Sequence, residues 1–167
     1  ATWGDIDPDR RGGGDVWIAG SYDPASDLVY FGTSQPKPWA APSRGMSVDD
    51  AALFTNSTLA LRPETGELAW HFQHVPGETI DMEVGFERIL ADIDGMPVLL
   101  TVGKDGILWK LNRETGEYID LLDTMSQTIF AVDRDTGTLT YREDIASADI
   151  GDTYTCLLYT SPSPRDP

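Results

Sequence analysis

Six side chains spread along the chain could do chemistry together. Asp81 and Glu83 stand two residues apart in the stretch Ile80-Asp81-Met82-Glu83. On an extended strand such a pair faces one side, so both carboxylates could reach one cation. An ionised carboxylate is an acceptor only and a hard oxygen ligand, suited to taking a proton or holding a calcium-like ion. Lys104 precedes the turn pair Asp105-Gly106 and offers a point positive charge that can stabilise developing oxyanion character. Trp17 offers a broad π face, Gln35 an amide oxygen, and Trp39 a further aromatic beside prolines. His71 and His74 follow Trp70, but H-x-x-H on a strand faces opposite ways, so packing or surface roles are expected for them. Singly, each of the six has a plainer reading. Trp17 reads as core packing, Gln35 as a polar loop residue and Trp39 as a loop aromatic on prolines. Asp81 and Glu83 read as solvated charges, and Lys104 as an exposed hairpin lysine.

The elements that must position these groups are strands. Three segments repeat one pattern: Ala60–Trp70 around Glu64-Thr65-Gly66, Leu111–Glu117 around Glu114-Thr115-Gly116, and Ala131–Leu139 around Asp135-Thr136-Gly137. Each runs from apolar alternation through an (E/D)-T-G turn into alternation again, the signature of a hairpin. The Gly supplies a positive-φ position, and the acidic residue and Thr can hydrogen-bond the turn backbone. The step from Thr65 to Thr115 is that of one propeller blade, roughly 40–50 residues. The shorter step to Thr136 suggests a hairpin inserted or shared between blades. Further strands are expected at Leu28–Thr33, Pro97–Gly103 and Ile107–Leu111, which are rich in branched and aromatic residues. Pro36-Lys37-Pro38 and Ala40–Arg44 mark a loop, and Ser47–Leu53 a short helical turn. The fold class expected is all-β, a partial β-propeller of about three blades. Three blades cannot close a ring, and open sheet edges invite aggregation.

The residues resemble one family in their order along the chain. Ala60–Trp70 fits the tryptophan-docking pattern A-x-D-x-x-T-G-x-x-x-W of quinoprotein alcohol dehydrogenases, except that Arg62 stands where Asp is usual. Around it lie Tyr22-Asp23-Pro24, Leu28–Thr33, Trp70–Gln73, Phe86-Glu87-Arg88 and Gly103–Leu111. From about Gly12 to Ile145 the chain resembles the middle of the PQQ-dependent methanol and ethanol dehydrogenases, which are eight-bladed propellers. The resemblance implies pyrroloquinoline quinone (PQQ) as cofactor with Ca2+ or a lanthanide ion. It implies that Trp17 forms the floor under the quinone and that Trp39 walls the substrate cavity. Gln35 matches the family's metal-binding Asn on a stem one methylene longer. Asp81 matches the metal-proximal general base, although Ile80 replaces the usual Trp before it. Glu83 falls where lanthanide users carry an extra Asp, and Lys104 matches the cation that hydrogen-bonds the quinone carbonyl. The activity implied is oxidation of a primary alcohol to an aldehyde by hydride transfer, with a cytochrome c or quinone as electron acceptor, in the periplasm. The family's metal-binding Glu and adjacent cysteine pair come from earlier blades and have no match here, so this piece alone is expected to be inactive.

Charge and composition narrow the classes further. The chain has 28 Asp+Glu against 12 Lys+Arg, a net charge of −16. Such a surface disfavours nucleic acid and anionic membranes as partners and permits a cation site. With 40% hydrophobic residues a packed core is available, while no stretch approaches the roughly 18 apolar residues of a membrane span. The chain opens at Ala1 without a signal-peptide pattern, so an internal fragment is expected. The stretch from Cys156 onward carries no repeat and resembles a translated sequencing adapter. Residues 1–155 are therefore read as the propeller domain and 156–167 as a non-native tail, which removes the lone cysteine from consideration. The competing function is a non-enzymatic propeller scaffold with the same repeats. An acidic calcium-binding β domain lacks its D-x-[DN]-x-[DN]-G loop.

Overall fold

A computed structural model of the chain describes residues 2–143. The expected tail from residue 156 and the end of the family resemblance, at Ile145, lie outside the described residues. Ten strands follow in order: β1 (Ser21–Asp23), β2 (Leu28–Gly32), β3 (Ser57–Leu61), β4 (Leu68–Gln73), β5 (Ile89–Ile93), β6 (Met96–Val102), β7 (Ile107–Asn112), β8 (Tyr118–Asp123), β9 (Phe130–Asp133) and β10 (Thr138–Tyr141). They form two four-stranded antiparallel meanders, β1-β2-β3-β4 and β5-β6-β7-β8, and the hairpin β9-β10. The fold is a partial β-propeller: two whole blades and the first two strands of another. The step from Thr115 to Thr136 thus runs from the outer turn of one blade to the first turn of the next. The helical turn falls at Ala41–Arg44, not at 47–53, because Pro42 fits the first turn and Gly45 ends it in a left-handed conformation.

All three T-G turns close hairpins, at β3–β4, β7–β8 and β9–β10. In the second and third, Asn112 Oδ1 and Asp133 Oδ1 each accept two turn N–H groups. Arg62 holds that place in the first turn and has no acceptor to offer. The residue that caps the turn backbone is therefore the one three before Thr, not the acidic residue beside it. Both outer hairpins also shift register one step before the turn, at Ala60/Leu61 and Lys110/Leu111.

Aromatic residues lock one blade to the next. Gly116 lies so close under the Trp70 indole that a Cβ there would be 2.5 Å from a ring carbon. Gly137 sits likewise beneath Tyr118. Between the blades, Leu28, Tyr30, Ala60, Leu99 and Leu111 form one buried cluster. A second, around Trp109, Val75, Val84, Leu121 and Phe130, joins the second blade to the following hairpin. Polar ties reinforce the seam. The Arg113 side chain donates to Asp23 (2.9 Å) and to the Ala91 carbonyl (2.7 Å), and pairs with Asp92. The buried Arg88 guanidinium donates to Ser57 O, Thr58 Oγ1 and Val84 O.

Because each sheet is an up-and-down meander, its connections alternate between two rims. The turns within β1–β2, β3–β4, β5–β6 and β7–β8 lie on one. The segment before β1, the β2–β3 connection, the β4–β5 connection and the β6–β7 turn lie on the other. All six candidate residues sit on that second rim.

Candidate functional site

Three of the six meet directly. The Lys104 ammonium lies 3.0 Å from Asp81 Oδ2 and 2.9 Å from Glu83 Oε2. Burial draws the Lys104 pKa down, but its hydrogen bonds to Glu83 and Asp81, with their charges, outweigh that and leave it raised. The carboxylates do not share a strand face, as alternation would have had it. Residues 81–85 form no strand, and Asp81 has φ 68°. The left-handed turn aims Asp81 at Lys104, at a backbone cost of about 1 kcal/mol or more.

The β6–β7 turn is built to present Lys104. Asp105 Oδ1 accepts from Gly103 N and Ile107 N, and Asp105 Oδ2 accepts from Trp109 Nε1 at 2.6 Å. Burial pushes the Asp105 carboxyl up to about 6, against those donors. The Lys104 N–H donates to the Glu83 carbonyl at 2.8 Å. Any side chain at Gly103 would run into that same carbonyl, so only glycine lets the two connections touch.

Trp17 stands nearby, its ring edge-to-face on Phe86 with centroids 5.2 Å apart and 48% of the residue exposed. Its indole nitrogen would be 3.2 Å from a Cβ at Gly85, which also adjoins Ser34. Ser34 N donates to the Asp15 carbonyl and Asp15 N to Ser34 Oγ, which fixes the segment before β1 beside the one carrying Gln35. Trp39 is 46% exposed, and its carbonyl is held by Arg44. His71 is exposed against Phe54, and His74 is buried with its Nε2 on Thr58, so both have ordinary structural roles.

Gln35 Oε1 and Asp81 Oδ1 are buried with no hydrogen-bond partner among the described residues. Oxygen atoms left in this state suit a hard cation, which takes carboxylate and amide oxygens. Asp81, Glu83 and Gln35 are thus donors of the right chemistry. Among the described residues no three His, Cys, Asp or Glu gather as a metal group, and Asp81 and Glu83 are paired with the Lys104 ammonium.

Two residues of this rim gave no signal in the sequence. Arg44 and Glu78 are both fully buried. Glu78 Oε1 accepts from Ile80 N (2.6 Å) and Met82 N (3.0 Å), the amides on either side of Asp81. Burial pushes the Glu78 carboxyl up to about 7, partly opposed by those two amides. Neither residue belongs to a repeat or a spaced motif, and only the crossing of two loops buries them.

Residues 1–123 match the family described as "PQQ: Glucose/ethanol/alcohol dehydrogenase, beta-propeller domain". The chain is 42% identical over 123 residues to the quinohemoprotein alcohol dehydrogenase ADH IIB of Pseudomonas putida, covering 71% of this chain and 18% of that protein. It is 37% identical over the same length to the lupanine 17-hydroxylase [cytochrome c] of a Pseudomonas species, with the same coverage. In structure it resembles the quinohemoprotein alcohol dehydrogenase of Comamonas testosteroni, with TM-score 0.73 and 28% identity over 79% of this chain and 20% of that one. It also resembles a europium-containing methanol dehydrogenase, with TM-score 0.71 and 30% identity over 80% of this chain and 23% of that one. The chain spans about a fifth of the length of the relatives it matches.

Proposed function

The chain belongs to the PQQ β-propeller family of glucose, ethanol and alcohol dehydrogenases, and on that premise we propose that it forms part of the catalytic rim of a PQQ-dependent alcohol dehydrogenase. The reaction is oxidation of a primary alcohol to an aldehyde. PQQ, when bound, supplies the hydride acceptor, and Ca2+ or a lanthanide the Lewis acid. The observation that carries the reading is the meeting of Asp81 and Glu83, on the connection between the blades, with Lys104 on the second blade, while the other Asp81 oxygen, Oδ1, is left without a partner.

Each residue then has a role its own chemistry supports. Asp81, an acceptor with one oxygen on Lys104 and one unpaired, takes the alcohol proton and holds the ion. Gln35 and Glu83 add oxygen donors, and the extra charge of Glu83 favours a trivalent ion over calcium. Lys104 holds a proton at Nζ and places positive charge where a carbonyl oxygen gains electrons. Trp17, about half exposed, offers its indole for stacking. Trp39 walls the substrate side from the same rim. Names among the relatives, which include cytochrome c and quinone, support a cytochrome c or quinone as electron acceptor, and the periplasm is the location that goes with this reading. No helix among the described residues is long and apolar enough to cross a membrane.

The test uses the full-length protein. PQQ with calcium or lanthanum should quench tryptophan fluorescence and permit dye-linked oxidation of primary alcohols. Neither quenching nor dye reduction would leave a propeller scaffold that binds no quinone.

A further inference from the structure

We infer that Arg44 and Glu78 are positioning residues that set Asp81 toward Lys104 and tie the loop of Gln35 and Trp39 to it. The inference rests on the catalytic reading of this rim. Arg44 ends the short helical turn Ala41–Arg44. Its Nη1 donates to the carbonyls of Pro38 and Trp39, both at 2.6 Å, and its Nη2 to the Glu78 carbonyl at 2.8 Å. A buried guanidinium with three carbonyl partners and, among the described residues, no carboxylate within ion-pair distance is costly, and an apolar side chain would fill the place more cheaply. What the guanidinium does that an apolar group cannot is fasten three backbone oxygens of two loops at fixed spacing. Beside it Ala41 N donates to Thr79 Oγ1 at 2.9 Å, a second tie between the same loops.

Glu78 continues the chain of contacts. One of its oxygens receives both amides that bracket Asp81, and those amides have no strand partner. A single acceptor thereby holds residues 80–82 in the tight turn that gives Asp81 its positive φ. Neither Arg44 nor Glu78 touches Lys104, so both act through Asp81 and the loop backbones.

The experiment substitutes Glu78→Ala, Glu78→Gln and Arg44→Lys in the full-length protein. Two quantities are read: the calcium concentration for half-maximal PQQ quenching of tryptophan fluorescence, and hydrogen exchange of the amides of residues 79–83. Glu78→Ala should need about tenfold more calcium, the usual scale for groups that orient metal ligands, and should exchange faster at Ile80 and Met82. Glu78→Gln keeps a carbonyl acceptor and should stay within about threefold of the parent. Lysine cannot span three carbonyls, so Arg44→Lys should raise the calcium requirement at least about threefold, which keeps the test alive if Glu78→Ala does not fold. A wild-type calcium requirement in folded Glu78→Ala or Arg44→Lys overturns the inference, whatever their melting temperatures. If the parent protein responds to lanthanum and not to calcium, the same titration is run with lanthanum; if neither ion supports quenching, the catalytic reading falls. The exchange rates then decide positioning alone: unchanged rates in Glu78→Ala overturn it, and faster rates uphold it.

Discussion

Gly66 and Gly116 occupy the same place in the outer turns of neighbouring blades, with φ of 70° and 76°. Replacing either by Ala forces a Cβ into the left-handed region, at about 1–2 kcal/mol. Part of this is returned, about 0.4–1 kcal/mol, because Ala restricts the unfolded chain. Gly66→Ala should thus cost roughly 1 kcal/mol or less, since a Cβ there meets nothing within 4 Å. At Gly116 the same atom would lie 2.5, 2.7 and 3.2 Å from Trp70 ring carbons, where ordinary contact begins at 3.4 Å. The indole cannot simply withdraw, because it stands against Tyr30, centroids 5.7 Å apart, and the buried inter-blade cluster. Overpacking of that kind adds about 1–3 kcal/mol. Gly116→Ala should therefore lose roughly 2–4 kcal/mol, at least about 1 kcal/mol more than Gly66→Ala. Urea unfolding of the two variants measures the difference. In a Trp70→Leu background the excess should shrink, as coupled neighbours require. Equal losses at the two glycines would refute the idea that the turn of one blade is a socket for the aromatic of the other.

Other outcomes follow from the same contacts. Arg62→Asp should stabilise the protein by about 1 kcal/mol by restoring the acceptor that Asn112 and Asp133 provide in the other turns, read as a higher melting temperature. Lys104→Met should leave Asp81 and Glu83 without their shared cation, tightening terbium binding read by tryptophan-sensitised luminescence while weakening PQQ quenching. The raised pKa values of Glu78 and Asp105 mean that the folded state keeps protons the unfolded chain has released. The stability these two groups contribute should be full below about pH 4 and fall as pH rises through about 6 to 7, whereas that of Asp23, raised by burial but held low overall by its donors, is lost towards acid pH. Glu78→Gln should remove the Glu78 share, gaining up to about 3 kcal/mol on the parent at pH 8 and nothing near pH 4, measured as melting temperature across that range.

The turns and strands were legible because their causes are local. A T-G pair after an alternating run dictates a hairpin wherever it occurs, and Ile107–Asn112 alternates buried and half-buried side chains as its apolar pattern requires. Family resemblance pointed to Asp81, Glu83 and Lys104 as members of one site, but the direct ion pairing of Lys104 with both carboxylates was not legible. Spacing pointed to a strand face, whereas the chain uses a left-handed turn whose cause, Glu78, lies outside the pair. β5 escaped notice because Ile89, Asp92 and Ile93 are all exposed on it, leaving no clean alternation. Arg44 read as a loop charge, since nothing in its neighbours announces that residues 38, 39 and 78 converge on it. Such groups are fixed by where loops cross, and sequence spacing carries no record of that.

The alternation of connections between two rims has a consequence for how such a protein can change. Docking turns with their glycines and aromatics occupy one side, and the acid–lysine assembly the other, with the sheets as a stiff partition between them. Endurance and reactivity can then drift under separate pressures. Substitutions on the turn side can make the sheets grip one another more or less firmly while Asp81, Glu83 and Lys104 stay as they are, and the loop of Trp39 can be reshaped without loosening the joints between blades.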